Sequence, residues 1–448
     1  MNLEDYLHQN AQCYPDKVAV VCGDTTLTYA QLWQEVARRA QDFHPHEVAC
    51  FRSSQDIDFL VTYMAVHLAG GVAVPLEHGM PDTLFERISS AVAHSFTLHS
   101  SLPIADILYT TGTTGQSKGV MVSHRALIAD AENLIAGQGF SHDLVFIING
   151  PLNHIGSLSK IWPCIFVGAT ILSIEGMKDL NAFFRALDTP PSSFLLPPSS
   201  KLKFATFFVP ATIRMILQFA PDRLASYAHK LDLIESGAAP LPQTDMQRLC
   251  ELLPHTRLYN TYASTETGII ATYNYNDDRC MANCLGRPMP HSKILITPDG
   301  LIACQGDTLM SGYVGDPELT ATVLRDDSVF TSDVGILDEE GMLHLSGRAS
   351  DVINVGGFKV SPIEVEEVAM ASPLVSDCIC ISASHPVTGR ALKLLVVTPS
   401  GQKLDKRTLA RYLADRLEPY KVPMLYEQVD TIARTYNGKL DRKFYLTP

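Results

Sequence analysis

No run of about 18 consecutive apolar residues occurs in this sequence, which excludes a conventional membrane-crossing helix. The opening MNLEDYLHQN lacks the basic and apolar segments of a secretory signal, so cytoplasmic residence is the expectation. Cysteine occurs ten times without one CxxC pair. Cys280 and Cys284 lie four apart and Cys378 and Cys380 two apart, with no histidine at zinc spacing, so reduced, partly buried thiols are expected. Positive charge is scarce as well. Lys and Arg number 35 against 48 Asp and Glu, a net charge of −13 that argues against nucleic acid as a main partner. The same balance hinders anionic substrates, because two like charges about 4 Å apart cost roughly 4 kcal/mol at an effective dielectric near 20. Such substrates need local cations, backbone donors or a metal. No internal repeat of about 20–50 residues is visible.

What is present is a globular composition, 46% hydrophobic and 19% charged. At 448 residues the chain is too long for one ordinary core, so two or more domains are expected. The first residues predict a helix, a strand at Val18–Cys22, a turn at Gly23-Asp24 and a helix with Leu32, Val36, Ala37 and Ala40 on one face. Strand and helix then alternate through VACF, DFLVTYMAVHLAG and GVAVPL, which predicts an α/β architecture. Ser123 is placed to N-cap a helix carrying Leu127, Ala131, Leu134 and Ile135. The four prolines and four serines of residues 188–200 predict a surface loop. A boundary is expected at 349/350. Before it ILDEEGMLHLSGR reads as a hairpin turning at Glu340-Gly341, and after it Ser361, Pro362 and Glu364 form a capping-box pattern with Val360 and Val365 as a hydrophobic staple. The last hundred residues or so read α, β, α, β, with a turn at Asn437-Gly438.

The most concentrated signal is ILYTTGTTGQSKGVMVSH, residues 107–124, which places Thr110, Thr111, Gly112, Thr113, Thr114, Gly115, Ser117, Lys118 and Gly119 in ten positions between two strand candidates. Glycines let backbone N–H groups converge on one point, threonines add hydroxyl donors and the lysine adds a full charge, which makes an anion cradle. A flexible linker would share the composition. The P-loop NTPase spacing is absent, since Lys118 follows Gly115 by three and Gly119 replaces the magnesium-binding hydroxyl residue.

This run resembles the phosphate-binding loop of the adenylate-forming superfamily, which contains acyl- and aryl-CoA synthetases, peptide-synthetase adenylation domains and firefly-type luciferases. LTYAQL at Leu27–Leu32 is similar to a feature near the start of many members. The resemblance implies a large N-terminal domain of layered αβ subdomains, residues 1–349, binding ATP and the acid. It also implies a small mobile C-terminal α+β domain, residues 350–448, carrying the adenylation lysine.

Four further stretches resemble the superfamily in order. PLNHIGSLSK (151–160) is similar to the PLFHxxG segment and implies Asn153 and His154 beside the acyl group, with His154 near the acyl carboxylate and the thiol path. Relatives that activate amino acids carry an aspartate here for the substrate ammonium. No acid follows before Glu175, and a buried unpaired ammonium is strongly unfavourable, so a free α-amino acid is a poor candidate. YNTYASTETG (259–268) resembles NxYGxTE and implies Glu266 as the Mg²⁺ ligand, Thr265 on phosphate and Tyr262 on the adenine, with Ala263 in place of glycine narrowing the acyl pocket. Upstream, SGAAPL (236–241) matches the segment whose backbone, here Gly237 and Ala238, lines the adenine and acyl pockets. TSDVG (331–335) implies Asp333 on the ribose hydroxyls, helped by Arg348. VINVGGFKVSP (352–362) resembles the strand lining the pantetheine tunnel, with Gly356 and Gly357 giving close backbone approach, and ARTYNGKLDR (433–442) resembles PRTxxGKxxR, making Lys439 the adenylation lysine. The usual hinge residue is replaced by Ser350 followed by Asp351.

Together these imply an AMP-forming acid–thiol ligase using ATP, Mg²⁺ and coenzyme A on a non-amino aryl or fatty acid. Loading of an acyl or aryl group onto an acyl carrier protein is the alternative acceptor chemistry, and a catalytically degenerate binding protein is a third reading.

Overall fold

The computed structural model describes residues 1–97, 103–110, 118–177, 179–197, 199–355, 358–385, 389–434 and 440–445. Thr111, Gly112, Thr113, Thr114, Gly115, Ser117, Gly356, Gly357 and Lys439, with the Asn437-Gly438 turn, lie outside them. Among the described residues the strands form sheets of fourteen, five, three and two strands.

The apolar runs that alternate with helices build the first two sheets. The five-stranded sheet runs in the order Gly312–Tyr313, Lys118–Ser123, Ile104–Thr110, Val72–Glu77, Val48–Ser53. Both its faces are covered, so alternate side chains enter different cores. Ala73, Ala105, Leu108, Val120 and Val122 face one cluster, while Val72, Val74, Leu76, Ile107 and Met121 face another. The fourteen-stranded sheet has a parallel centre made of Thr170–Ser173, Leu144–Ile148, Lys203–Phe208, Leu231–Ser236 and Arg257–Ser264. Its direction then reverses at Gly268–Asn274, and antiparallel strands continue through Cys284–Pro288, Leu343–Arg348, Ser328–Leu337, Leu301–Gly306 and Ser292–Ile296. The crevice at the C-terminal ends of parallel strands is where open α/β sheets bind ligands.

Local expectations near the N-terminus hold, with one addition. Thr25–Thr28 forms a strand paired to Val18–Cys22, and Thr28 then caps the helix Tyr29–Arg39 through a reciprocal bond with Gln31. Within that helix Leu32 and Val36 are buried, and Ala37 is only half-buried. Ser123 caps His124–Gln138, its Oγ accepting from the Ala126 N–H. Residues 188–197 form a largely exposed connection with one short 3₁₀ turn, Pro191–Phe194, in which Phe194 is buried. All ten cysteines are free thiols.

Beyond Arg348 the chain forms the hairpin of Ile353–Val355 and Phe358–Val360, the helix Pro362–Met370, two antiparallel strands Asp377–His385 and Gly389–Val397, the helix Lys406–Ala414 and the strand Leu425–Gln428. The expected α, β, α, β pattern thus lacked one strand, because two apolar runs joined by SHPVTGR pair directly with each other. Val355, Val360, Val365, Cys378, Leu392 and Leu409 belong to an apolar core distinct from those of the two larger sheets. The capping box at Ser361 does not form. Ser361 starts the helix with Pro362 at N1, but its Oγ donates 2.7 Å to the Ser346 carbonyl, and Glu364 accepts from Lys421 at 2.6 Å. Both side chains therefore serve tertiary contacts that outcompete the local cap. Val360 and Val365 are buried together as a staple requires.

Two ionic anchors join the last hundred residues to the rest of the chain and to themselves. Arg214 donates to Asp377 at 2.7 Å, and Arg434 holds the same carboxylate at 2.7 Å. Arg442 grips Glu366 bidentately at 2.6 and 2.8 Å and reaches Asp351 at 3.3 Å. Burial raises the Glu366 carboxyl pKa against the opposing pull of Arg442, while that pairing raises Arg442 despite its own burial.

Beneath the crevice sits a fully buried ion pair. Lys160 Nζ lies 2.7 Å from Glu235 Oε2, both side chains are 1% exposed, and the ammonium is 5.4 Å from the centre of the Phe207 ring. Removing one member strands the other charge in low dielectric, whereas removing both leaves an apolar gap. Lys160→Met should therefore cost about 3–5 kcal/mol of unfolding free energy, and Lys160→Met with Glu235→Leu should recover most of it. Urea unfolding of the two variants checks this; equal losses would contradict it.

Candidate active site

The parallel strands Leu231–Ser236 and Arg257–Ser264 are in register, with Ser236 opposite Asn260, so Gly237 and Ala238 emerge beside Thr261–Ala263. A Cβ on Gly237 would lie 3.1 Å from the Thr261 carbonyl and 3.6 Å from the Phe207 ring. Ala238 has φ +69°, a left-handed conformation costing about 1–2 kcal/mol for a non-glycine residue. Residues held there cluster at ligand-binding sites.

The corner after Ser264 carries the most chemistry. Ser264 N–H donates to Thr267 Oγ1 at 3.1 Å and Thr267 N–H returns a bond to Ser264 Oγ at 3.0 Å. Thr308 Oγ1 donates to the Thr267 carbonyl at 2.8 Å, and Ile269 N–H donates to buried Asp130 Oδ1 at 2.7 Å. Gly268 has φ +70°, and a Cβ there would stand 2.6 Å from the Thr308 carbonyl and 2.7 Å from Asp130 Oδ1. The corner can therefore be made only by glycine. It leaves Thr265 and Glu266 half-buried at its tip.

Glu266 meets the phosphate-loop strand through a residue that the sequence motifs did not single out. Tyr313 Oη donates to Glu266 Oε1 at 3.0 Å, and Lys118 Nζ stands 5.3 Å from the centre of the Tyr313 ring. Backbone pairing fixes this arrangement, since Tyr313 is opposite Val120 and Val314 N–H donates to the Gly119 carbonyl at 2.8 Å. Thr110 and Lys118 are paired across the strands that flank the loop. The only sequence signal for Tyr313 was a Gly-Tyr pair in SGYVGDPE, without periodicity.

A second group forms on the neighbouring antiparallel strands. Asp333 and Arg348 are register partners; Arg348 Nε donates to Asp333 Oδ1 at 3.1 Å, and Tyr262 Oη donates to Asp333 Oδ2 at 2.9 Å. Burial and then the Asp333 charge push the Tyr262 phenol well above its ordinary value, so it stays a donor. Two motif residues, 71 and 15 positions from Asp333, thus share its carboxylate.

On the acyl side Asn153 is buried and its Oδ1 accepts from Ser53 Oγ at 3.1 Å. His154 precedes the short helix Ile155–Leu158. The ring of Phe207 links this segment to Gly237: a Cβ on Gly156 would sit 3.3 Å from one ring edge, as one on Gly237 would sit 3.6 Å from another. Phe207 and Glu235 lie in no motif, and Lys160 ends the PLNHIGSLSK stretch without a role assigned to it there. Ala263 is half-buried directly before the corner.

Among the described residues no group of three or more His, Cys, Asp and Glu side chains could hold a metal ion. A single carboxylate beside a threonine hydroxyl fits Mg²⁺, which keeps several waters and takes the remaining oxygens from phosphate. No described helix is long and apolar enough to cross a membrane.

Comparisons with known proteins identify the family and the fold. Residues 7–104 and 100–314 match the AMP-binding enzyme family, and residues 364–439 match the AMP-binding enzyme C-terminal domain. The chain is 26% identical to a feruloyl-CoA synthase of Amycolatopsis sp, covering 96% of each chain. It is 29% identical to an indoleacetate–CoA ligase of Aromatoleum aromaticum, covering 80% of this chain and 70% of that one. Its fold is similar to that of ATP-bound MatB from Rhodopseudomonas palustris, with TM-score 0.84, 24% identity and coverage of 100% and 98%.

Burial raises the Asp130 carboxyl to about 8, against the Ile269 N–H bond and distant Lys160, which lower it. The folded state then holds a proton that the unfolded state releases near pH 4, so stability should fall as pH rises from about 4 to 8 and level off above. Asp130→Asn keeps an acceptor for Ile269 and should flatten that slope. Unfolding curves across this range check it, and an unchanged slope in the variant would contradict it.

Proposed function

The chain belongs to the AMP-binding enzyme family, and from that premise we propose that it is an AMP-forming acid–CoA ligase acting on a small carboxylic acid without an α-amino group. The observation that carries this reading is that Lys118 and Glu266 meet on Tyr313 while the strand leading to Glu266 carries Tyr262 to the Asp333–Arg348 pair. A cation, a metal-binding carboxylate and a hydroxyl-binding carboxylate in sequence suit a nucleoside triphosphate. The buried Asn153, with Ser53 as its partner and no acid in its segment, suits a neutral aryl or aliphatic acyl body. The named relatives that act on feruloyl and indoleacetate groups support an aryl acid.

In the first half-reaction the acid's carboxylate oxygen attacks the α-phosphorus of ATP, forming the acyl–phosphate bond and expelling pyrophosphate. Both reactants are anions, so the work of the protein is placement and charge neutralisation. Thr110 and Lys118, with the intervening Thr111, Gly112, Thr113, Thr114 and Gly115, hold the β- and γ-phosphates, and Thr265 holds the α-phosphate. Asp333 accepts from the ribose hydroxyls, with Arg348 orienting it. The Tyr262 ring and the backbone at Gly237 and Ala238 flank the adenine. Mg²⁺ bound by Glu266 would neutralise the departing pyrophosphate. Lys439 adds the remaining positive charge at the α-phosphate, and His154 with Ala263 borders the acyl carboxylate.

In the second half-reaction residues 350–448 act as a mobile domain that withdraws Lys439 and presents Gly356 and Gly357 to the pantetheine of coenzyme A. The thiol sulfur attacks the acyl carbon, the acyl–phosphate bond breaks and AMP leaves with the electron pair.

Pyrophosphate exchange into ATP over a panel of aryl, short-chain and long-chain acids tests the reading. An aryl acid should give the fastest exchange, and no exchange with any acid would overturn it. AMP release with coenzyme A should exceed release with a phosphopantetheinylated carrier protein. Lys439→Ala should lower adenylate formation by at least about a hundredfold while sparing thioester formation from a supplied acyl-adenylate. Equal loss in both half-reactions would refute the division of labour.

A further inference from the structure

Tyr313 stands between two groups of opposite charge. Lys118 Nζ lies over one face of its ring, 5.3 Å from the centre, while its hydroxyl donates to Glu266 Oε1 at 3.0 Å. The side chain is 5% exposed, and its backbone is locked by pairing with Val120, so the ring cannot swing away cheaply. Among the described residues no ion pair joins Lys118 to Glu266. That absence has a physical consequence. An ammonium and a carboxylate held against one ring attract each other strongly at low effective dielectric, and a direct pair would cancel both. Lysine's flexible stem would let it close the distance. The aromatic ring instead offers the ammonium its negative face and the carboxylate a single neutral donor, satisfying each without consuming its charge.

We propose that Tyr313 is a positioning residue that acts as an insulating spacer, keeping Lys118 available to the substrate's phosphates and Glu266 available to the divalent cation. The inference rests on the ATP-binding reading of the crevice. It assigns Tyr313 a role separate from contact with substrate. The ring does the spacing, and the hydroxyl sets the rotamer of Glu266 so that its second oxygen is presented outward.

The two parts of the side chain can be separated. Tyr313→Phe keeps the ring and loses the hydroxyl, whereas Tyr313→Ala removes the spacer. Fluorescent-ATP binding is measured in EDTA and again during a Mg²⁺ titration, with the melting temperature of each variant recorded alongside. In EDTA, Tyr313→Phe should bind ATP as the wild type does, because Lys118 remains free. Its Mg²⁺ half-saturation should rise about threefold to tenfold, the effect of losing one hydrogen bond to a charged group. Tyr313→Ala should bind ATP about fivefold to tenfold more weakly even in EDTA, because Lys118 collapses onto Glu266.

The deciding variant is Tyr313→Ala with Glu266→Gln. Removing the competing carboxylate should release Lys118 and restore metal-free ATP affinity to within about twofold of Glu266→Gln alone. Additive losses in the double variant, with a melting temperature near that of Tyr313→Ala, would overturn the spacer and leave Tyr313 a packing residue. Wild-type protein that fails to bind ATP under any condition would instead refute the nucleotide-binding reading, so the two failures are distinguishable.

Discussion

The hydrogen bond from the Ile269 amide to the buried carboxyl of Asp130 is the contact on which the candidate site depends. It fixes where the parallel centre of the large sheet ends and its antiparallel wing begins. Because Gly268 adopts φ +70° at that reversal, the backbone turns sharply and leaves Thr265 and Glu266 half-buried at its tip. The same turn sends the chain back along Arg257–Ser264, keeping Tyr262 within reach of Asp333. One buried acceptor therefore bears on the placement of both Glu266 and the Tyr262–Asp333 contact.

Charge is the second constraint. A chain with net charge −13 that handles anions cannot rely on its overall field, so it concentrates compensation locally. Lys118 is held over a ring, Arg348 lies against Asp333, and Glu235 is matched by Lys160 below the crevice. Each contact satisfies a charge whose isolation would be costly, and that of Lys118 is an aromatic ring rather than a carboxylate. Arg214 on Asp377 ties the residues after Arg348 to the rest of the chain, while Arg442 on Glu366 braces those residues among themselves.

Much of this was legible in the residues. The alternation of apolar runs and helical faces predicts the α/β chain that the sheets form, whereas most of the Thr-Gly-Lys stretch lies outside the described residues. Asp333 and Arg348 were recognisable from their motifs, yet that they are register partners followed only from strand pairing. Local rules failed where a distant group offered a better partner. Ser361 had every neighbour of a capping box, but the Ser346 carbonyl took its hydroxyl. One strand after Met370 went unseen because two adjacent apolar runs pair with each other rather than with a helix between them.

The sequence by itself determined the class of chemistry: hydroxyl-rich and glycine-rich segments, a Thr-Glu corner and a C-terminal lysine at the spacing of a known family. Those signals are local, and local backbone preference is enough to carry them. Only the tertiary structure decided which side chains share an atom. Tyr313 reached Glu266, Phe207 came to lie between Gly156 and Gly237, and Asp130 accepted from Ile269 because sheet order joined segments tens to hundreds of residues apart. Periodicity cannot encode such meetings, since each depends on burial that exists only once the sheets have closed.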